Sequence, residues 1–153
     1  MQNDMEGVII KKIIKFEDGR GWLAEVWRSD EMNYQPVMSY VSATKPGVIR
    51  GPHEHVHQSD CFIFLGPGNF ELYLWDARPG SKTSGQYEKM KMGEKNPVFV
   101  LVPPGIVHGY KNISNQDAFC INLPDKLYKG KGKKEEADEV RWEGKADSPY
   151  KIM

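Results

Sequence analysis

The chain has 153 residues, 39% of them hydrophobic and 11% aromatic; at about 100–200 residues per domain that is one domain with its own core, and it leaves no room for disorder or a second catalytic domain. Lys plus Arg and Asp plus Glu both number 21, so no global positive field draws in a polyanion; nucleic acid is excluded as a bulk partner, a local basic pocket for one phosphate group is not. No window approaches the ~18 apolar residues of a membrane span, and MQNDMEGVIIKKIIKF has no clean apolar leader, so a soluble cytoplasmic protein with no membrane partner is expected.

In chain order, short apolar or alternating runs separated by Gly, Pro, Asn and Asp predict strands at Val8 to Phe16, Trp22 to Trp27, Val37 to Ala43, Cys61 to Leu65, Phe70 to Trp75, Tyr87 to Met92, Val98 to Val102 and Ala118 to Leu123. Helix is expected only for a turn or two near Ser29 to Tyr34 and at Glu135 to Val140. Gly66-Pro67-Gly68-Asn69 is expected to turn a hairpin. Within Phe70 to Trp75 the alternation gives Phe70, Leu72 and Leu74 one face, which looks into a core, and leaves Glu71, Tyr73 and Trp75 for a second sheet, a partner or solvent. About eight such strands predict an all-β sandwich, jelly roll or barrel. Residues about 126–153, with lysines and then acids around glycines, are expected to be a solvated charged segment. GKGKK at 130–134 lacks the spacing of a phosphate loop, and GRGWLA at Gly19 to Ala24 places a strand where a dinucleotide fingerprint needs a helix. Cys61 and Cys120 sit in apolar runs without metal or redox spacing and are expected to be buried thiols.

All four histidines fall in two places, His53, His55 and His57 in RGPHEHVHQSD and His108 in VPPGIVHGYKN. On a strand, residues two apart share a face, so alternating histidines present imidazoles side by side to one cavity. HEHVH also spells H-E-x-x-H, the zinc motif of a peptidase helix, but Gly51-Pro52 before it and CFIFL after it leave no space for that helix. Read as strand, the two regions have the spacing of the two cupin motifs. Pro103, Gly105, His108 and Asn112 complete the second; His53-x-His55 followed by Asp60 makes most of the first. A metal cupin would bring His53, His55, Asp60 and His108 onto one divalent ion, a donor set suited to Fe(II), Mn(II), Ni(II) or Zn(II), with His57 on the opposite face.

The flanking segments FEDGRGWLAEVWR, PGVIRGPHEH, LWDARPGSKTSGQ, VLVPPGIVHGY and DEVRWEGKADSPYKI occur in an order that resembles the dTDP-4-dehydrorhamnose 3,5-epimerase family of cupins over nearly the whole chain. The resemblance implies a single cupin jelly roll over residues 1–153, a homodimer in which the N-terminal strand, about residues 7–16, is lent to the neighbour, and action on a nucleotide-linked 4-keto-6-deoxy sugar with no cofactor. By position it implies His53 as the base that removes a proton next to the ketone, with Asp147 the nearest counterpart of the aspartate that orients it. Arg50 matches an arginine on the nucleotide diphosphate, Arg20 and Glu25 match substrate-facing residues of the exchanged segment, and His108 and Tyr110 match the pocket element H-G-F/Y.

Three positions depart from the family pattern. His55 replaces a glutamine, Asp60 replaces a pocket lysine, and Ile121 lies close to where a tyrosine serves as the acid on the opposite sugar face. The R-G-x-H-x-H form also resembles nucleotide-sugar 3,4-ketoisomerases. Three readings stay open: an epimerase or ketoisomerase of nucleotide sugars, a non-catalytic sugar-binding cupin, and a metal-dependent cupin enzyme carrying one divalent transition ion.

Overall fold

The computed structural model describes residues 4–153. Its regular elements are almost all strands: β1 Ile9–Lys12, β2 Phe16–Asp18, β3 Gly21–Leu23, β4 Tyr40–Thr44, β5 Ile49–Glu54, β6 Asp60–Phe64, β7 Asn69–Asp76, β8 Tyr87–Gly93, β9 Val98–Val102, β10 Ile106–Asn112, β11 Ala118–Asn122 and β12 Val140–Arg141, with one 3-10 turn at Lys131–Lys133. Two five-stranded antiparallel sheets, ordered β1-β9-β6-β11-β4 and β12-β5-β10-β7-β8, face each other, and β2 and β3 form a ribbon of their own. This is an all-β fold of the class the strand rhythm predicts, and of the jelly-roll type that the resemblance implies. Among the described residues, no helix is long and apolar enough to cross a membrane.

The alternation of β7 builds the core. Phe70, Leu72 and Leu74 are fully buried and meet Phe62, Phe64, Val98 and Val100 from the other sheet. Phe64, Phe70 and Tyr110 pack with ring centroids 5.1 to 5.5 Å apart. All five residues of β6 are buried because both of its faces are covered. Phe62 and Phe64 point inward, while Cys61, Ile63 and Leu65 pack beneath Ala24, Val26, Trp27 and Met32. Tyr34 pins that covering segment by donating to the Leu123 carbonyl at 2.6 Å. Cys61 and Cys120 are buried free thiols.

Several sequence expectations are corrected. The run at 8–16 divides into β1 and β2, the strand expected to reach Trp27 ends at Leu23, and β4 begins at Tyr40 rather than Val37. Of the residues so released, Ile13, Ala24, Val26 and Trp27 pack on the outer face of β6, where side-chain burial outweighs strand pairing. Gly66 to Asn69 is a corner and not a hairpin, because β6 and β7 lie in different sheets. No helix forms at Ser29 to Tyr34 or Glu135 to Val140; the first is a turn and the second ends in β12. The charged C-terminal segment is only partly solvated. Its lysines are exposed, but residues from Asp138 onward pack on the second sheet, Tyr73 donates to the Met153 carbonyl, and Trp75 packs against Tyr150 with centroids 5.6 Å apart. The free face of β7 is thus covered by the chain's own end.

DARPGSKTSGQ folds around the carboxylate of Asp76, which is buried. Arg78 donates to it through Nε and Nη2, both at 2.8 Å, and Ser81 and Thr83 donate at 2.6 Å each. These donors outweigh desolvation and hold the Asp76 carboxyl far below the usual range. The segment is a scaffold loop that braces Gly105, whose N–H donates to the His55 carbonyl, and none of its residues lines the cleft.

Candidate active site

β5 and β10 place the histidines by an irregular register. His53 pairs with His108 and Arg50 with Tyr110, so three steps along β5 match two along β10. In a regular strand Arg50 and His53 would face opposite sides; the extra residue at Gly51-Pro52 is a bulge that turns both to one face. Proline suits the bulge because it has no ladder N–H to lose. Glycine is needed beside it: at φ +85° a Cβ would lie 2.7 Å from the His108 carbonyl oxygen. The resulting rings crowd together, with centroids 4.6 Å apart for His53 and His108 and 5.4 Å for His53 and His55.

Asp60, the first residue of β6, reaches this cluster from the opposite sheet. Its Oδ2 stands 3.0 Å from His55 Nε2 and 3.1 Å from His108 Nε2. Its Oδ1 accepts from Gln58 Nε2 at 2.8 Å and Asn122 Nδ2 at 3.0 Å. Burial alone would raise the Asp60 pKa, but the two imidazoles draw it well below the ordinary value. For His55, burial is outweighed by the Asp60 carboxylate and the Asp138 carbonyl, and its pKa is lifted to about 9. His53 moves the other way, to about 3, because burial and the neighbouring His108 and His55 disfavour charge. It is neutral at physiological pH.

The third wall comes from the C-terminal segment. β12 pairs with β5, Arg141 opposite His53. The Asp138 carbonyl accepts from His55 Nδ1, and the Asp138 carboxylate receives the N–H groups of Val56, His57 and Gln58 at 3.0, 2.8 and 2.8 Å. Glu139 Oε1 lies 3.8 Å from His53 Nδ1. Asp147, matched by position to the base-orienting carboxylate, is exposed and outside the cleft; Glu139 is the carboxylate beside His53. Asp138 and Glu139 open the landmark segment DEVRWEGKADSPYKI, but nothing in the sequence assigned either of them to the histidines, because their docking is decided by the pairing of β12 with β5.

The cleft has a volume of about 590 Å³, within the range of small-molecule sites. Arg50 lines it and donates to Thr44 Oγ1 and the Ala43 carbonyl; among the described residues none of its hydrogen bonds goes to a carboxylate. Tyr110 lines the floor, its hydroxyl 3.3 Å from Ser42 Oγ. Tyr40, also in the cleft, accepts from Asn122 Nδ2 at 2.8 Å, and burial pushes its pKa up to about 12. His57 sits exposed at the mouth, outside the cluster. Arg20 and Glu25 are not brought to the cleft by their own chain: Arg20 pairs with Asp18 across the β2–β3 turn, and Glu25 with Arg28.

A family model described as dTDP-4-dehydrorhamnose 3,5-epimerase matches residues 2–146. Similar curated proteins include the spore coat polysaccharide biosynthesis protein SpsL of Bacillus subtilis, 40% identical over 109 residues that cover 70% of this chain and 71% of the relative. The probable low-salt glycan biosynthesis epimerase Agl13 of Haloferax volcanii is 39% identical over 114 residues, covering 72% of each. Among solved structures, a dTDP-4-dehydrorhamnose 3,5-epimerase from Sulfolobus tokodaii superposes with a TM-score of 0.71 at 28% identity, over 80% of this chain and 72% of that one. A dTDP sugar isomerase from Desulfovibrio desulfuricans shares the fold with a TM-score of 0.84 at 20% identity, over 96% and 91% of the two chains.

Proposed function

Because this chain belongs to the dTDP-4-dehydrorhamnose 3,5-epimerase family, we propose that its histidine cleft epimerises or isomerises a nucleotide-linked 4-keto-6-deoxy sugar. The observation that carries the reading is a half-buried, neutral histidine, His53, with a carboxylate beside it, on the same wall as Arg50. A hydrogen next to a ketone is acidic enough for an imidazole to remove, and the neutral ring has the lone pair to take it. Its low basicity is offset as the proton arrives by Glu139 at 3.8 Å, whose charge stabilises the imidazolium. The C–H electrons pass into the enolate. The Tyr40 hydroxyl, which stays protonated, is the donor that returns a proton from the other side, filling the role left vacant near Ile121. His53 then carries one extra proton and Tyr40 one fewer, and exchange with water resets both. Arg50 binds the diphosphate through its planar fork. The ribbon β2–β3 leaves Phe16, Trp22 and Leu23 exposed, which supports a homodimer in which this segment meets a second copy; β1 itself pairs with β9 of its own chain.

The test is deuterium uptake from heavy water at the carbons flanking the ketone, over a panel of nucleotide-linked 4-keto-6-deoxy sugars. Exchange is expected, reduced about 100-fold or more by His53→Ala, the lower bound for losing a general base. Tyr40→Phe should keep exchange and lose inversion. No exchange above buffer with any substrate overturns the reading. A sugar-binding protein without turnover is the second reading, favoured by Asp60 in place of the pocket lysine; calorimetric binding with no exchange would select it.

A further inference from the structure

His55, Asp60 and His108 converge on one point, where either protons or a cation must stand between the two imidazole nitrogens and the carboxylate oxygen. The His108 Nδ1 lies 2.9 Å from the Ile106 carbonyl, and the His55 Nδ1 meets the Asp138 carbonyl. A carbonyl only accepts, so both Nδ1 atoms carry hydrogen, and in the neutral tautomer both Nε2 atoms are bare. Both Nε2 atoms, whether protonated or bare, aim at the same oxygen, Asp60 Oδ2, at 3.0 and 3.1 Å. The other oxygen, Oδ1, is occupied by the amides of Gln58 and Asn122. The carboxylate is thereby turned to show one free oxygen to two imidazole lone pairs, at a point where His108 and Asp60 are 1% and 2% exposed.

From this geometry we propose that the cluster is a binding site for one divalent first-row transition ion, held by His55 Nε2, His108 Nε2 and Asp60 Oδ2 with His53 as the fourth donor. One ligand atom from each of the four residues lies within 4.8 Å of every other. Ligands bound at about 2.0–2.2 Å stand roughly 3.0–3.5 Å apart, the spacing of the two pairs measured here. Three imidazoles and one carboxylate select Zn(II), Fe(II), Co(II), Ni(II) or Mn(II) over Mg(II) and Ca(II), which take oxygen donors. The carbonyls of Ile106 and Asp138 and the amides of Gln58 and Asn122 are the outer contacts that fix each ligand's orientation. Either two protons or one divalent ion can fill the gap, and both leave the cluster with the same charge. The inference does not rest on the epimerase reading, although it uses the same cleft. While His53 ligates an ion its lone pair is unavailable for proton abstraction, so metal content and deuterium exchange report on the two readings separately.

The experiment uses the full chain purified without a histidine tag, stripped with chelator and titrated with Co(II) and Zn(II). One ion per chain by elemental analysis, visible d–d absorption from Co(II) and a rise in Tm with Zn(II) are expected. Asp60→Asn and His55→Gln should each weaken uptake at least about 100-fold, the upper end of what outer contacts alone are worth, and His57→Ala, at the exposed mouth, should leave it unchanged. His55→Gln is the safeguard should Asp60→Asn fail to fold. Less than about a tenth of an ion per chain at tenfold excess overturns the proposal. So does uptake that both ligand variants leave intact, or that His57→Ala removes. Deuterium exchange is measured on the chelated protein and stands whatever the metal result; metal binding together with no exchange by the chelated protein would defeat the epimerase reading alone.

Discussion

Replacing Asp138 by alanine tests whether the charged C-terminal segment is part of the site. Its carboxylate takes three backbone N–H groups, those of Val56 and His57 at the surface and that of Gln58, which is half-buried. A hydrogen bond contributes about 0.5–1.5 kcal/mol net, least where water can replace the lost partner. Two bonds at the low end and one at the high end give about 2–3 kcal/mol for Asp138→Ala. In a domain of this size that is a fall in Tm of roughly 5–10 °C. Asp138→Asn keeps an acceptor oxygen but loses the charge, and should fall between alanine and the parent. Urea titration followed by tryptophan fluorescence measures both variants, with m unchanged if only native contacts are lost. A loss below about 0.5 kcal/mol for alanine, the scale of an ordinary surface change, would mean that the segment does not hold the 56–58 turn and that Glu139 is not reliably placed beside His53.

Other outcomes follow from the same structure. Gly51→Ala adds a methyl 2.7 Å from the His108 carbonyl at a positive φ; it should cost about 2–4 kcal/mol by calorimetry and reduce nucleotide-sugar binding by separating β5 from β10. Phe64→Ala empties the centre of the core, where Phe62, Phe70 and Tyr110 surround the ring, and should cost about 3–5 kcal/mol, read by urea titration. The Asp76 carboxyl is held below its ordinary value in the folded chain, so its contribution is present above the unfolded pKa near 3.8 and is lost as pH falls below it. Tm measured from pH 5 down to pH 2 should therefore drop less steeply in Asp76→Asn than in the parent.

The class of fold and the chemistry of the donors were legible before any coordinates. Period-two alternation in Phe70 to Trp75 and apolar runs such as Val98 to Val102 fix which side chains face a core, because a strand has only two faces. The histidine spacing placed His53 and His55 on one of them, and the ordered flanking segments identified the family. LWDARPGSKTSGQ was legible as a family landmark, yet it wraps the buried Asp76 and does not line the cleft, a distinction that sequence spelling does not carry.

What stands opposite those histidines depends on how the strands assemble. Arg50 and His53, three residues apart, share a face because the bulge at Gly51-Pro52 adds one residue against β10, and register is a property of two strands. Asp60 meets His108 across the sandwich, 48 residues away in sequence. Asp138 and Glu139 lie in a stretch whose composition reads as solvated, and they enter the site because β12 adds to the edge of β5 and seats Trp142 and Tyr150 on the apolar face of the sheet. Local pattern fixes where a side chain points along its own strand; the partner it meets is set by which edges and faces remain to be covered once the sheets have formed.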